Sequence, residues 1–172
     1  MVRMATSTSL EAALSRASGT VTDFLEQLVC EPIDAGGRRH ETTMADASNA
    51  LKVPEGQPLL MRSAVLQGRS SGCSFVYAES LLVPGRLPER FRRRLQSGSD
   101  PIGRILREEG IPVTREPVVP SGQSFVSVLS GTDTAVGDCL LARTYRVDTE
   151  GVPVMIITEW FLSSLERFLV SR

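Results

Sequence analysis

CLLARTYRVDTEGVPVMIITEWF, residues Cys139 to Phe161, is the stretch whose reading decides the fold. Two largely apolar runs flank Thr149-Glu150-Gly151, a tripeptide suited to a tight turn between antiparallel strands. In the second run, Val152–Phe161, eight of ten residues are apolar or proline, and an acid, Glu159, stands near its end. Alternation along a strand puts Glu159 on the face of Pro153, Met155 and Ile157, with Thr158 and Trp160 on the other. Neither face is evidently wet. An unpaired buried carboxylate is costly, so Glu159 either ends the strand in solvent or faces a pocket that holds a partner for it.

The same pattern recurs upstream. PLLMRSAVLQ (58–67) and CSFVYAESLLVP (73–84) flank GRSSG, which reads as a hairpin. Arg62 stands alone on the face of Leu60, Ala64 and Leu66, and its planar fork suits a carboxylate. Glu79 interrupts FVYAESLLV, and Arg143 shares a face with Tyr145. Four isolated charges at otherwise apolar strand positions predict a polar cavity over a sheet. HETTMADAS (40–48) and IPVTREPVV (111–119) add weaker strands.

Helices interrupt these strands. In TVTDFLEQLVC, Val21, Phe24, Leu25 and Leu28 form one apolar face, with Thr20 or Thr22 as cap. EPIDAGGRR then breaks the pattern with Pro32, Gly36 and Gly37. GRLPERFRRRLQSG carries Leu87, Phe91 and Leu95 as a stripe, and its arginines read as a solvated face. SDPIGRILREEGI is expected to start with Asp100 as N-cap and Pro101 as first helical residue, and to stop at Gly110. Its first-turn N–H groups, those of Ile102 and Gly103, are open to an anion unless Asp100 takes them. SSLERFLVSR reads as a terminal helix. Residues 121–138 read as a loop with a short helix at Phe125–Leu129, and as a potential lid. The first ~18 residues, rich in Ser, Thr and Ala, are expected to be partly frayed.

These elements give an α+β fold: one antiparallel sheet with helices on one face, in a single domain spanning 19–172. A length of 172 residues suffices for a sizeable core. A net charge of -1 gives no reason to expect nucleic acid or a membrane surface as partner. The N-terminus lacks a signal-peptide core and no apolar run reaches spanning length, so a cytoplasmic location is expected. Three cysteines without a CxxC pair, and the single histidine His40, argue against a zinc site. His40 has no Ser or Cys placed as its catalytic partner.

The motifs DPIGRIL, TRE and LARTYRV…GVPVMIITEWF, following PLLMRSAVL in this order, resemble the chorismate pyruvate-lyase family over roughly Pro58 to Phe161. The resemblance implies an enclosed small-molecule cavity over an antiparallel sheet. It implies cofactor-free, metal-free elimination of pyruvate from chorismate to give 4-hydroxybenzoate. Arg62 and the N–H of Ile102, beside Gly103, would bind the ring carboxylate, and Glu159 would meet the ring hydroxyl. Arg143 or Arg115 would then hold the pyruvyl carboxylate, and a protonated Glu159 is one possible donor to the ether oxygen. Glu79 departs from the family pattern, which often has a basic residue in that strand; an acid facing the cavity would repel a dianion. The same C-terminal ending is similar to the ligand-sensing domains of GntR-type regulators. Two alternatives therefore stand beside the lyase: a binding-only module, and the same scaffold reused for another elimination or cyclisation in specialised metabolism.

Overall fold

The computed structural model describes residues 7–17, 19–118 and 139–171. Its strands are β1 (Ile33–Met44), β2 (Pro58–Gly68), β3 (Ser74–Leu82), β4 (Thr114–Pro117), β5 (Cys139–Thr149) and β6 (Val152–Leu162). They form one sheet in the order β1-β2-β3-β6-β5-β4, every neighbouring pair antiparallel. Two hairpins, β2–β3 and β5–β6, meet along the β3–β6 seam.

The helices are α1 (Ser7–Arg16), α2 (Val21–Val29), α3 (Glu89–Ser97), α4 (Ile102–Glu108) and α5 (Ser163–Val170). All pack on one face, as alternation requires. Leu66, Val76 and Phe161 lie in a core with α1, α2 and α5, while Leu82, Val147 and Met155 lie in a second core with α3 and α4. The opposite face carries the Tyr77–Trp160 ring pair, with centroids 5.4 Å apart, and at one end is covered by Ala45, Leu51 and Val53.

Local chemistry explains most boundaries. Thr20 caps α2: its hydroxyl accepts from Asp23 N–H, and the Asp23 carboxylate accepts from Thr20 N–H. Glu150 and Gly151, with φ of 50° and 76°, form the β5–β6 turn in the doubly left-handed conformation that matches strand twist. Gly110 (φ 61°) ends α4, and the N–H groups of Gly110 and Ile111 bond the carbonyls of Arg107 and Leu106.

Two expectations are corrected. EPIDAGGRR does end the helical pattern, α2 stopping at Val29, but the strand expected at 40–48 already begins at Ile33 and ends at Met44; β1 slips register between Gly36 and Arg39 as a bulge, with Gly37 at φ 55°. Asp100 does not cap α4. Pro101 sits at the cap with extended backbone, and the Asp100 carboxylate is taken by Arg94 and Arg104. Residues 7–16 form α1, whose Leu10 and Leu14 are buried. The lid and short-helix expectations for 121–138 lie outside the described residues.

Candidate ligand cavity

The strand register builds the floor. One row across the sheet reads Arg62, Ser80, Ile157, Tyr145; the next reads Ala64, Ala78, Glu159, Arg143. Arg62 and Glu159 are two strands and one side-chain repeat apart, about 12 Å between Cα atoms. Between them Ala78 and Ser80 are small, which leaves room above the sheet for a flat group. The starts of α2 (Thr20–Thr22) and α4 (Pro101–Gly103) form the roof, and Arg115 of β4 lines the wall. The space between floor and roof has a volume of about 40 Å³.

Arg62 is 3% exposed. Its Nη2 donates to the Asp100 carbonyl oxygen at 3.3 Å, and its Nε has no partner. No carboxylate pairs with it among the described residues. Burial pulls its pKa down from the usual 12.5 to about 10, and Arg38 adds to the effect. His40, directly across from Arg62 on β1, is likewise pushed down, first by burial and then by Arg62 and Arg38.

Glu159 is 1% exposed and does face the cavity. Arg143 Nε donates to one of its oxygens at 2.6 Å and the Tyr145 hydroxyl to the other at 2.7 Å. The Arg143 guanidinium lies 5.2 Å from the Tyr145 ring centre and 5.6 Å from that of Phe161. Burial, followed by the Glu159 charge, pushes the Tyr145 phenol well above its usual range, which keeps it a donor. Both Glu159 oxygens thus accept from strong donors.

The sequence-derived candidates divide accordingly. Arg62, Ile102, Gly103, Arg115 and Glu159 all line one cavity. Of the two arginines considered for the pyruvyl carboxylate, Arg143 pairs with Glu159, whereas Arg115 has no ionic partner among the described residues. Glu79 is corrected outright: it lies on the opposite face, between Ser63 and Thr158, and accepts from Tyr77 at 2.9 Å. The repulsion it threatened therefore does not arise. Gly103 has a steric reason, since a Cβ there would sit 2.6 Å from Thr20 Cβ. Sequence reasoning missed Ala78, Ser80, Thr22 and a role for Tyr145; the alternating small residues within VYAESLL were the available signal for the first two.

A family model described as "Chorismate pyruvate-lyase Rv2949c-like" matches residues 17–169. The chain belongs to this family. Chorismate pyruvate-lyase of Mycobacterium tuberculosis is 35% identical over 114 residues, covering 63% of this chain and 55% of that protein. Its Mycobacterium leprae counterpart is 34% identical over 127 residues, covering 67% of this chain and 58% of that protein. The chain thus spans little more than half the length of these curated relatives. Among solved structures, the C-terminal domain of the histidine utilization repressor from Pseudomonas syringae pv. tomato superposes with a TM-score of 0.52 at 17% identity, covering 77% of this chain and 91% of that one. The PhnF C-terminal domain gives 0.50 at 12% identity, covering 77% and 82%. The chain therefore shares its fold with these two C-terminal domains.

Proposed function

We propose that this protein is a cofactor-independent lyase that eliminates pyruvate from chorismate, leaving 4-hydroxybenzoate. One observation carries the reading: Arg62, a buried guanidinium with no anionic partner among the described residues, lies across a floor of small residues from a buried acceptor, Glu159. That polarity matches a ring with a carboxylate at one end and a hydroxyl at the other. Membership of the family and the names of its curated relatives support it.

In this reading Arg62 holds the ring carboxylate and Arg115 the pyruvyl carboxylate. Glu159, oriented by Arg143 and Tyr145, accepts from the ring hydroxyl rather than protonating the ether oxygen. The elimination removes the ring proton beside that hydroxyl and breaks the ether bond. The ring becomes aromatic, and the departing enolpyruvate takes a proton on its methylene to become pyruvate. Aromatisation provides the driving force, so the site's task is to hold one reactive conformer and manage protons.

A binding-only module is the second reading, favoured by the fold shared with repressor effector domains. The test is to mix purified protein with chorismate and follow both products by chromatography. Equal release of 4-hydroxybenzoate and pyruvate, lost in Glu159→Gln, supports the lyase. No release from well-folded protein sinks it, and stabilisation by 4-hydroxybenzoate without turnover would then favour the module.

A further inference from the structure

Among the described residues, two polar atoms of side chains lining the cavity have no hydrogen-bond partner: Arg62 Nε and Thr22 Oγ1. Thr22 is 1% exposed, and it lies in the first turn of α2, outside the stretch whose motifs carry the sequence resemblance. A contrast two residues away sharpens the point. The Thr20 hydroxyl donates to the Asp23 carboxylate and accepts from Asp23 N–H, so capping uses it fully. The Thr22 hydroxyl does neither. It abuts the start of α4, where a Cβ on Gly103 would lie 3.0 Å from Thr22 Oγ1.

A buried hydroxyl with no partner destabilises a fold, and valine fills the same shape without that penalty. Local structure therefore gives no reason for a hydroxyl at this position, whereas a bound carboxylate does. A carboxylate offers about four acceptor positions, more than a single guanidinium occupies.

We infer that Thr22 donates its hydroxyl to the carboxylate held by Arg62, and is thereby a specificity-determining residue of the cavity. This rests on the lyase reading insofar as the ligand is an aromatic carboxylate. Thr22 shares the anion with Arg62 and plays no part in proton transfer, so its loss acts on affinity before it acts on the chemical step.

The experiment is calorimetric binding of 4-hydroxybenzoate to wild type, Thr22→Val and Thr22→Ser, with thermal unfolding of each protein free of ligand. Thr22→Val is expected to bind roughly tenfold to a hundredfold more weakly, the value of one hydrogen bond to a charged group. Thr22→Ser should bind like wild type. Ligand-free Thr22→Val should melt at or above the wild-type temperature. Wild-type affinity in a folded Thr22→Val, or weak binding by Thr22→Ser, overturns the assignment and leaves the lyase reading standing. A ligand-free Thr22→Val that melts several degrees low also overturns it, because the hydroxyl would then be structural. Failure of wild type to bind 4-hydroxybenzoate at all removes both this assignment and the reading beneath it.

Discussion

Replacing Arg62 with methionine should make the ligand-free protein more stable. The guanidinium is 3% exposed and its pKa is depressed from the usual 12.5 to about 10. At about 1.4 kcal/mol per tenfold change in proton affinity, that depression is a penalty of about 3 kcal/mol on the folded state. Methionine removes it while keeping most of the side-chain volume, and sacrifices one hydrogen bond to the Asp100 carbonyl, worth about 1 kcal/mol. The net gain is about 2 kcal/mol, or roughly 4–8 °C in Tm for a chain of this length. Because the folded-state pKa is the lower one, the penalty is full at any pH below about 10 and fades only as pH rises towards 12.5. The gain should therefore be constant between about pH 6 and 9. Thermal unfolding with and without 4-hydroxybenzoate is the assay. Saturation at a hundredfold over Kd should stabilise wild type by about 2.7 kcal/mol and leave Arg62→Met unmoved. A ligand-free variant that melts well below wild type would refute the reasoning, since Arg62 would then be a brace for Asp100 rather than a waiting anion site.

Glu159→Gln should lower kcat/KM on chorismate by at least about a hundredfold, while loosening the Arg143–Tyr145 cluster by about 1–3 kcal/mol; chromatography and circular dichroism read the two effects separately. Both tyrosines should resist ionisation in the folded state. Burial and then Glu79 push Tyr77 up to about 12, and Tyr145 is also held well above its usual value. Stability should consequently be full below about pH 10 and fall above it, where only the unfolded chain releases phenolic protons, and ultraviolet absorbance should show tyrosinate appearing together with unfolding. Gly103→Ala should cost about 1–3 kcal/mol by driving α4 away from Thr20, with ligand affinity falling alongside Tm.

Period-two alternation made the two hairpins and the one-sided helix layer legible, because burial of one sheet face leaves its mark on every second residue. The carboxylate recognised at Glu159 and the cation at Arg62 were legible for the same reason: each violates a local apolar pattern. What alternation alone did not settle was which face holds the cavity. Glu79 follows the parity of Tyr77 and Leu81 rather than that of Ala78 and Ser80, and only the strand pairing shows that the latter share a face with Arg62. The partner of Arg143 was hidden similarly, since Glu159 lies beside it only once β5 and β6 are in register. At Asp100 a sound capping rule lost to a stronger competitor, two arginines within ion-pair reach. The β1 bulge was obscured because Gly36 and Gly37 punctuate a strand in the same letters that end one.

The seam between β3 and β6 has one more implication. Arg62 and Ser80 come from the hairpin of the first half of the chain, Glu159 and Tyr145 from that of the second, and Ala78 meets Glu159 across about eighty residues of sequence. Each hairpin can form from local contacts, but the cavity does not exist until these distant segments have joined, the step with the largest loop-closure entropy. In the proposed reading, binding competence is thus a property of the finished topology, and a ligand seated between Arg62 and Glu159 would act as a clasp across the joint on which the whole architecture depends.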